Sequence, residues 1–293
     1  MAKPLELKRR IRSVQNTKKI TKTMELVSTS KLKRAQDRVV GARPYAQALA
    51  DVIGQLYSPE LAERFPLLRQ PGHTGRGAGV RRAALLLITS NRGLCGAFNA
   101  NLIREARRRL EELEKQDAHT ELHLVGKKGV SYFKFTKRNI VSQRVDIGDR
   151  PTLDHAAELA KPLMERFSNG DLDAVDVVFA KFNSAVSTPP TTLRVLPVDP
   201  PKATKGSLNY ILRPSAEEIL QQLLPLYVQN QFYRALVETA AAEHGARRTA
   251  MKNATDAGSD MLTILQRTFN RARQAQITQE LAEIVGGAEA LKG

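Results

Sequence analysis

The sequence predicts an α/β protein in which a long helix at each end of the chain flanks a sheet domain. Three observations carry this. Apolar residues keep a helical spacing from Pro4 to Tyr57, strand-like and helix-like stretches alternate from Arg82 to Asp199, and no proline occurs between Pro225 and Val285. The terminal helices are expected to pair with each other, and alternation in the middle implies a mostly parallel sheet.

The first helix opens at Pro4, whose missing N–H costs nothing in a first turn. Ile20, Met24 and Val27 step by four and three, and Leu32, Ala35 and Val39 by three and four. Such narrow stripes read as a coiled-coil seam. Gly41 and Pro44 are expected to bend this helix without ending it. A Gly/Pro-rich linker, Pro66 to Gly79, follows.

The middle block reads in order as the strand AALLLITS, the helix FNANLIREARRRLEELEKQ, the strand TELHLVG, the short helix KKGVSYFKF, the segment IVSQRV, a helix containing Pro162, and the strands AVDVVFAKF and TTLRVLPV. The third block, Ser215 to about Val285, is helical. Pro225 would cost about 3 kcal/mol inside a continuous helix, which predicts a short helix before it and a fresh start or kink there. Ala254, Met261, Leu265 and Ala272 suggest the second seam, and Gly286 and Gly287 a helix stop. The expected division is residues 1–58, helix; 59–81, linker; 82–206, sheet domain; and 207–293, helical again.

Charge is the strongest compositional signal. The 293 residues carry a net charge of +16, of which +10 falls between Met1 and Arg43. That points to acidic partners. Nucleic acid is one class, yet the basic stretch has no Phe, Tyr or Trp to stack bases. The single cysteine excludes an internal disulfide and a multi-cysteine zinc site. No apolar run approaches the roughly 20 residues of a membrane helix, and the start lacks the apolar core of a secretory signal.

The loop TSNRGLCGAFN, Thr89 to Asn99, is where a phosphate cradle or reactive thiol would be sought. It has neither the Gly-x-x-x-x-Gly-Lys-Ser/Thr nor the Gly-x-Gly-x-x-Gly pattern. Gly93 and Gly96 serve a tight turn in any case, and Cys95 has no histidine beside it. His119 and His123 are spaced i, i+4, but on a strand such residues lie roughly 13 Å apart, too far for one metal. No catalytic, cofactor or metal residues are assigned. A nucleotide-dependent enzyme and a nucleic-acid-binding coiled coil remain as rival readings.

Four stretches then resemble one family, in order and over essentially the whole chain. LKRRIRSVQNTKKITKTMELVSTSKLKRAQ, LLLITSNRGLCGAFN, YILRPSAEEIL and ARRTAMKNATDAGSDMLTILQRTFNRARQAQITQELAEIVGGAEAL are similar to gamma subunits of F-type ATP synthases. The resemblance implies an antiparallel coiled coil of the terminal helices with an inserted Rossmann-like α/β domain. It also implies a non-catalytic rotor shaft at the cytoplasmic face of a bacterial cell membrane. Its expected partners are the alpha and beta subunits, the epsilon subunit and the membrane c-ring, without nucleic acid or cofactor.

Carried over residue by residue, the family's rotor–stator coupling positions fall on Met24, Arg247, Arg273, Gln274, Thr278 and Glu280. The basic residues Lys31, Lys33 and Arg34 would face an acidic lever of the beta subunit. Gly93, Leu94, Cys95 and Gly96 would form a docking turn. Tyr210 and Arg213 would lie near the membrane ring or epsilon. Two features depart from the usual pattern: the basic insert Gly72 to Arg82, and Arg213, where an acidic residue is often found. The chloroplast type's thiol switch needs a cysteine pair, which one cysteine excludes.

Overall fold

The computed structural model describes residues 4–57, 64–69, 79–199 and 215–290. Its elements are α1 (Pro4–Leu56), a 3-10 turn (Pro66–Leu68), β1 (Arg82–Ile88), α2 (Phe98–Glu114), β2 (His119–Val125), α3 (Lys127–Phe135), β3 (Ile140–Arg144), α4 (Leu153–Ser168), β4 (Ala174–Ala180), β5 (Pro190–Leu196) and α5 (Ala216–Ala290). Two compact units result, one made of Met1–Ser28 with Arg248–Gly293 and the other of Thr29–Arg247.

In the larger unit the strands lie in the order β3-β2-β1-β4-β5. β1 runs parallel to β2 and β4, β2 parallel to β3, and β5 antiparallel to β4. The apolar run of β1 is explained by burial on both faces, because side chains alternate across a strand. Ala84, Leu86 and Ile88 join one core with α4, with Ile53 of α1 and with Leu220 to Leu236 of α5. Leu85 and Leu87 join the other with α2, with Leu32, Ala35 and Val39 of α1 and with Ala241 of α5. A buried charge interrupts the apolar pattern at Asp176 of β4, which is fully buried and held by Arg109 (2.7 Å) and Arg194 (2.8 Å).

α5 corrects two expectations. It passes through Pro225 as one helix, without a fresh start. Proline there removes one helical hydrogen bond, but Leu220, Leu224, Val228 and Phe232 on the same face are all at most 1% exposed. Burial of four such side chains, each worth about 1.5–3 kcal/mol, outweighs the loss. The helix also runs through Gly286 and Gly287 to Ala290, so the glycine pair is not a stop. A glycine ends a helix by adopting positive φ, and neither does so.

In the smaller unit the two helical segments are antiparallel. Thr21 and Thr255 share a hydrogen bond of 2.8 Å, and Gly258 packs against Lys18, so one chain ascends as the other descends. The predicted seam is shifted. Ile20, Val27 and Met261 are more than half exposed and Ala254 is exposed, whereas Leu7, Thr21, Ser28, Met251, Thr255 and Leu262 are buried. Leu265 and Ala272 are half-buried, as the seam requires. The true stripe, Met251, Thr255, Gly258, Leu262, Leu265, Phe269 and Ala272, alternates steps of four and three, with small and hydroxyl side chains at places a hydrophobic pattern search skips.

Candidate functional site

A polar cluster lies where loops at the C-terminal edge of the sheet meet α1 and α5 within the larger unit. The loop after β3 supplies Asp149, whose carboxylate pairs with Lys31 of α1. Its backbone carbonyl accepts from Arg38 Nη1 at 3.0 Å, two helical turns further on. From α5, His244 Nε2 faces Asp149 Oδ1 at 3.7 Å. One loop residue therefore touches both long helices.

The loop after β1 supplies the second half. Gly93 O accepts from Arg247 Nη2 at 3.2 Å and Nε at 3.4 Å. Arg247 also pairs with Glu243 at 2.6 Å, one turn back, and its Nη1 donates to His244 Nδ1 at 3.4 Å when that nitrogen is the acceptor. The guanidinium's several donors suit it to this fork. The turn itself bends at Leu94 (φ 62°) and Gly96 (φ 60°). Ser90 and Asn99 close it from inside: Asn99 Oδ1 accepts from Ser90 N at 3.1 Å and from Ser90 Oγ at 3.0 Å. Cys95 is buried, accepts from Asn99 Nδ2 at 3.1 Å, and has its thiol pKa pushed up by burial. It is packing, held in a loop whose polar groups are already used.

Burial sets the direction of titration at His244 and Glu243. It pushes His244 down to about 4, with Asp149 opposing and Arg247, Lys31 and Arg38 adding to the drop. It raises Glu243, with Arg247 opposing, whereas Asp149 is held below the usual carboxylate range, the Lys31 hydrogen bond and His244 outweighing its desolvation. A depressed histidine binds its proton more weakly folded than unfolded, so its share of stability is complete above about 6.5 and is lost as pH falls toward 4. Glu243 has the opposite sign. Comparing wild type with His244→Gln isolates the histidine: by pH 5 the wild type is expected to have lost about 2 kcal/mol more than the variant relative to pH 7.5. Denaturant unfolding at both pH values checks this, and parallel losses in the two proteins would contradict it.

The remaining sequence-assigned residues are placed as follows. Lys33 pairs with Asp37 at 3.1 Å on an exposed face, and Arg34 Nη2 donates to Ser30 Oγ at 3.4 Å. Met24 is half-buried in the smaller unit. Arg273, Gln274, Thr278 and Glu280 lie exposed along α5; Thr278 Oγ1 donates to Gln274 O at 3.0 Å, and Glu280 Oε1 accepts from Gln276 Nε2 at 2.8 Å. Tyr210, Arg213 and most of the insert from Gly72 lie outside the described residues. The structure thus joins Lys31, Arg247 and Gly93 through one network. Its organisers, Asp149 and His244, were not assigned from sequence; the i, i+4 pair Glu243–Arg247 was the only legible signal.

A family model described as ATP synthase matches residues 4–291. The ATP synthase gamma chain of Gemmatimonas aurantiaca is 60% identical over 296 residues, covering all of both chains. That of Leptospira biflexa is 43% identical over 294 residues, covering 99% of this chain and all of the relative. Among solved structures, the central stalk and c-ring of the Tetrahymena thermophila mitochondrial ATP synthase matches with a TM-score of 0.61 and 25% identity, over 80% of this chain and 99% of that one. The rotor of the Euglena gracilis mitochondrial ATP synthase shares the fold, with a TM-score of 0.64 and 18% identity, over 94% and 98% of the two chains. A match along the full length, at this identity, places the sequence: the chain belongs to the ATP synthase gamma chain family.

Proposed function

We propose that this chain is the non-catalytic rotor shaft in the central stalk of a bacterial F-type ATP synthase. Ion flow turns a membrane c-ring, the ring with the epsilon subunit turns this chain, and its asymmetry drives the beta-subunit sites, set among alpha subunits, through different nucleotide affinities. The same contacts regulate ATPase activity. The complex holds the chain at the cytoplasmic face of the membrane; no helix among the described residues is long and apolar enough to cross it.

The observation that carries this reading is the surface of the smaller unit. Leu26, Val27, Met261, Ile264, Ile277, Leu281 and Ile284 are all at least 48% exposed on its two helical segments. So much apolar surface on a charged helix pair is the mark of a protein made to be enclosed by partners. Leu94 supports the docking role of the Gly93–Gly96 turn: an exposed leucine at positive φ is strained by about 1–3 kcal/mol, a cost expected at interaction sites. Lys31, Lys33 and Arg34 supply the charge that meets an acidic lever, Arg273 and Gln274 act as the far bearing, and Arg247, Thr278 and Glu280 are further coupling positions. Tyr210 and Arg213 belong to the base contact. The test is reconstitution of the chain with the alpha and beta subunits of its own organism: a stable ATPase complex is expected, and failure to co-assemble overturns the reading.

Within that complex, Met24→Lys is expected to lower ion pumping more than ATP hydrolysis. The new cation would pair with the acidic lever at one angle of each turn, adding about 0.2–1 kcal/mol if exposed. Side-by-side assays in membrane vesicles check this. An unchanged ratio of pumping to hydrolysis means that Met24 does not face the lever.

A further inference from the structure

A cavity of about 600 Å3 opens beside the Asp149 cluster, at the C-terminal ends of β1 and β2. Ile88, Val125, Leu236 and Ala240 line its apolar part, and the loops after β1, β2 and β3 form its rim. In open α/β sheets, ligands gather outside the carboxyl ends of the strands, and this volume lies within the range of small-molecule sites.

The charges around it do not cancel. Three carboxylates line the cavity, Asp146, Asp149 and Glu243, and each is already paired with a cation that does not: Arg144 at 2.6 Å, Lys31, and Arg247 at 2.6 Å. His155 is engaged by the N-terminus of α4, its Nδ1 accepting from Thr152 N at 3.2 Å. Three cations that also line the cavity, Arg92, Lys127 and Arg150, make no ion pair among the described residues. Arg92 acts on Asp149 only at longer range. Arg144 is shared with Glu158 at 2.7 Å, so the rim and its partners carry an excess of two positive charges above an apolar floor.

We propose that this cavity binds a phosphorylated small molecule of nucleotide size. Arg92, Lys127 and Arg150 hold its phosphates, and its less polar remainder lies against Ile88, Val145, Ile147 and Leu236. The grip comes from side chains, since the first backbone amide of α3, Lys127 N, is already taken by Asn91 Oδ1 at 2.9 Å. A ligand seated here would touch the loops that hold α1 and α5 through Asp149 and Gly93, so occupancy would stiffen that attachment. This inference stands independently of the rotor reading, because it concerns the isolated chain.

The test is calorimetric titration of the full chain with ATP, ADP, pyrophosphate and inorganic phosphate, alongside Lys127→Ala/Arg150→Ala and a distant control, Lys115→Ala. At least one phosphorylated probe is expected to bind below about 1 mM, weakened at least about tenfold in the double variant and unchanged in the control. Equal weakening in the control means diffuse attraction to a basic protein and overturns the proposal. No binding of any probe to wild type overturns it as well, and leaves the cavity's rim to an acidic segment of a partner. Should the double variant misfold, Arg92→Gln, on an exposed side chain, replaces it under the same criteria.

Discussion

Arg247→Ala is expected to destabilise the chain by about 3 kcal/mol and to weaken coupling in the assembled complex more than any other single substitution in the Asp149 network. The residue is 7% exposed, and its side chain ties α5 to the β1–α2 turn through Gly93 O while neutralising Glu243. Breaking a buried pair by removing one partner costs about 3–5 kcal/mol. The lower end applies here because Glu243, with its pKa already raised by burial, can take up a proton instead of remaining an isolated charge. Arg247→Lys keeps the charge and loses the fork, so it should restore part of the stability but little of the hold on Gly93. Urea unfolding of the isolated chain, with pumping and hydrolysis measured in vesicles, checks both halves. A variant that unfolds normally and stays coupled would show that the Gly93 contact is incidental.

Gly126→Ala is expected to be more severe still, with a loss above about 3 kcal/mol or failure to accumulate folded protein. Gly126 sits at φ 96°, where alanine is strained, and a Cβ there would lie 2.1 Å from Thr89 O. The neighbour cannot retreat. Thr89 Oγ1 donates to Val125 O at 2.9 Å and accepts from Gly129 N at 2.9 Å, which locks the end of β1 to the start of α3. The consequence reaches the site, because the Gly93 turn follows directly from that strand end. Gly41→Ala is the contrasting control: it lies in α1 with open space around it and should stabilise by about 0.5–1 kcal/mol. Thermal melts of the two variants settle the matter, and a folded Gly126→Ala with an unchanged melting temperature would contradict the geometry.

The sheet was legible because parallel strands covered on both faces must be apolar throughout, and AALLLI and AVDVVFA are so apart from Asp176, which two arginines neutralise. The short helix KKGVSYFKF matched α3 residue for residue. The seam of the smaller unit was not legible, since its buried positions include Ser28, Thr21 and Thr255, the two threonine hydroxyls being satisfied within the pair or by the helix backbone, while apolar Ile20 and Val27 face outward. Pattern reading assumes that apolar means inward, and an uncovered shaft face breaks that assumption. Pro225 misled for a related reason: propensity was weighed without the burial that offsets it. Asp149 and His244 gave no signal because they are 95 residues apart and only the fold brings them together.

In the proposed role this chain turns inside a ring of alpha and beta subunits. The most direct test attaches a visible probe to its base in an immobilised alpha–beta assembly and follows the probe while ATP is supplied. Unidirectional stepping that stops when ATP is withdrawn is the predicted result. An assembly that hydrolyses ATP while the chain stays fixed would contradict the account.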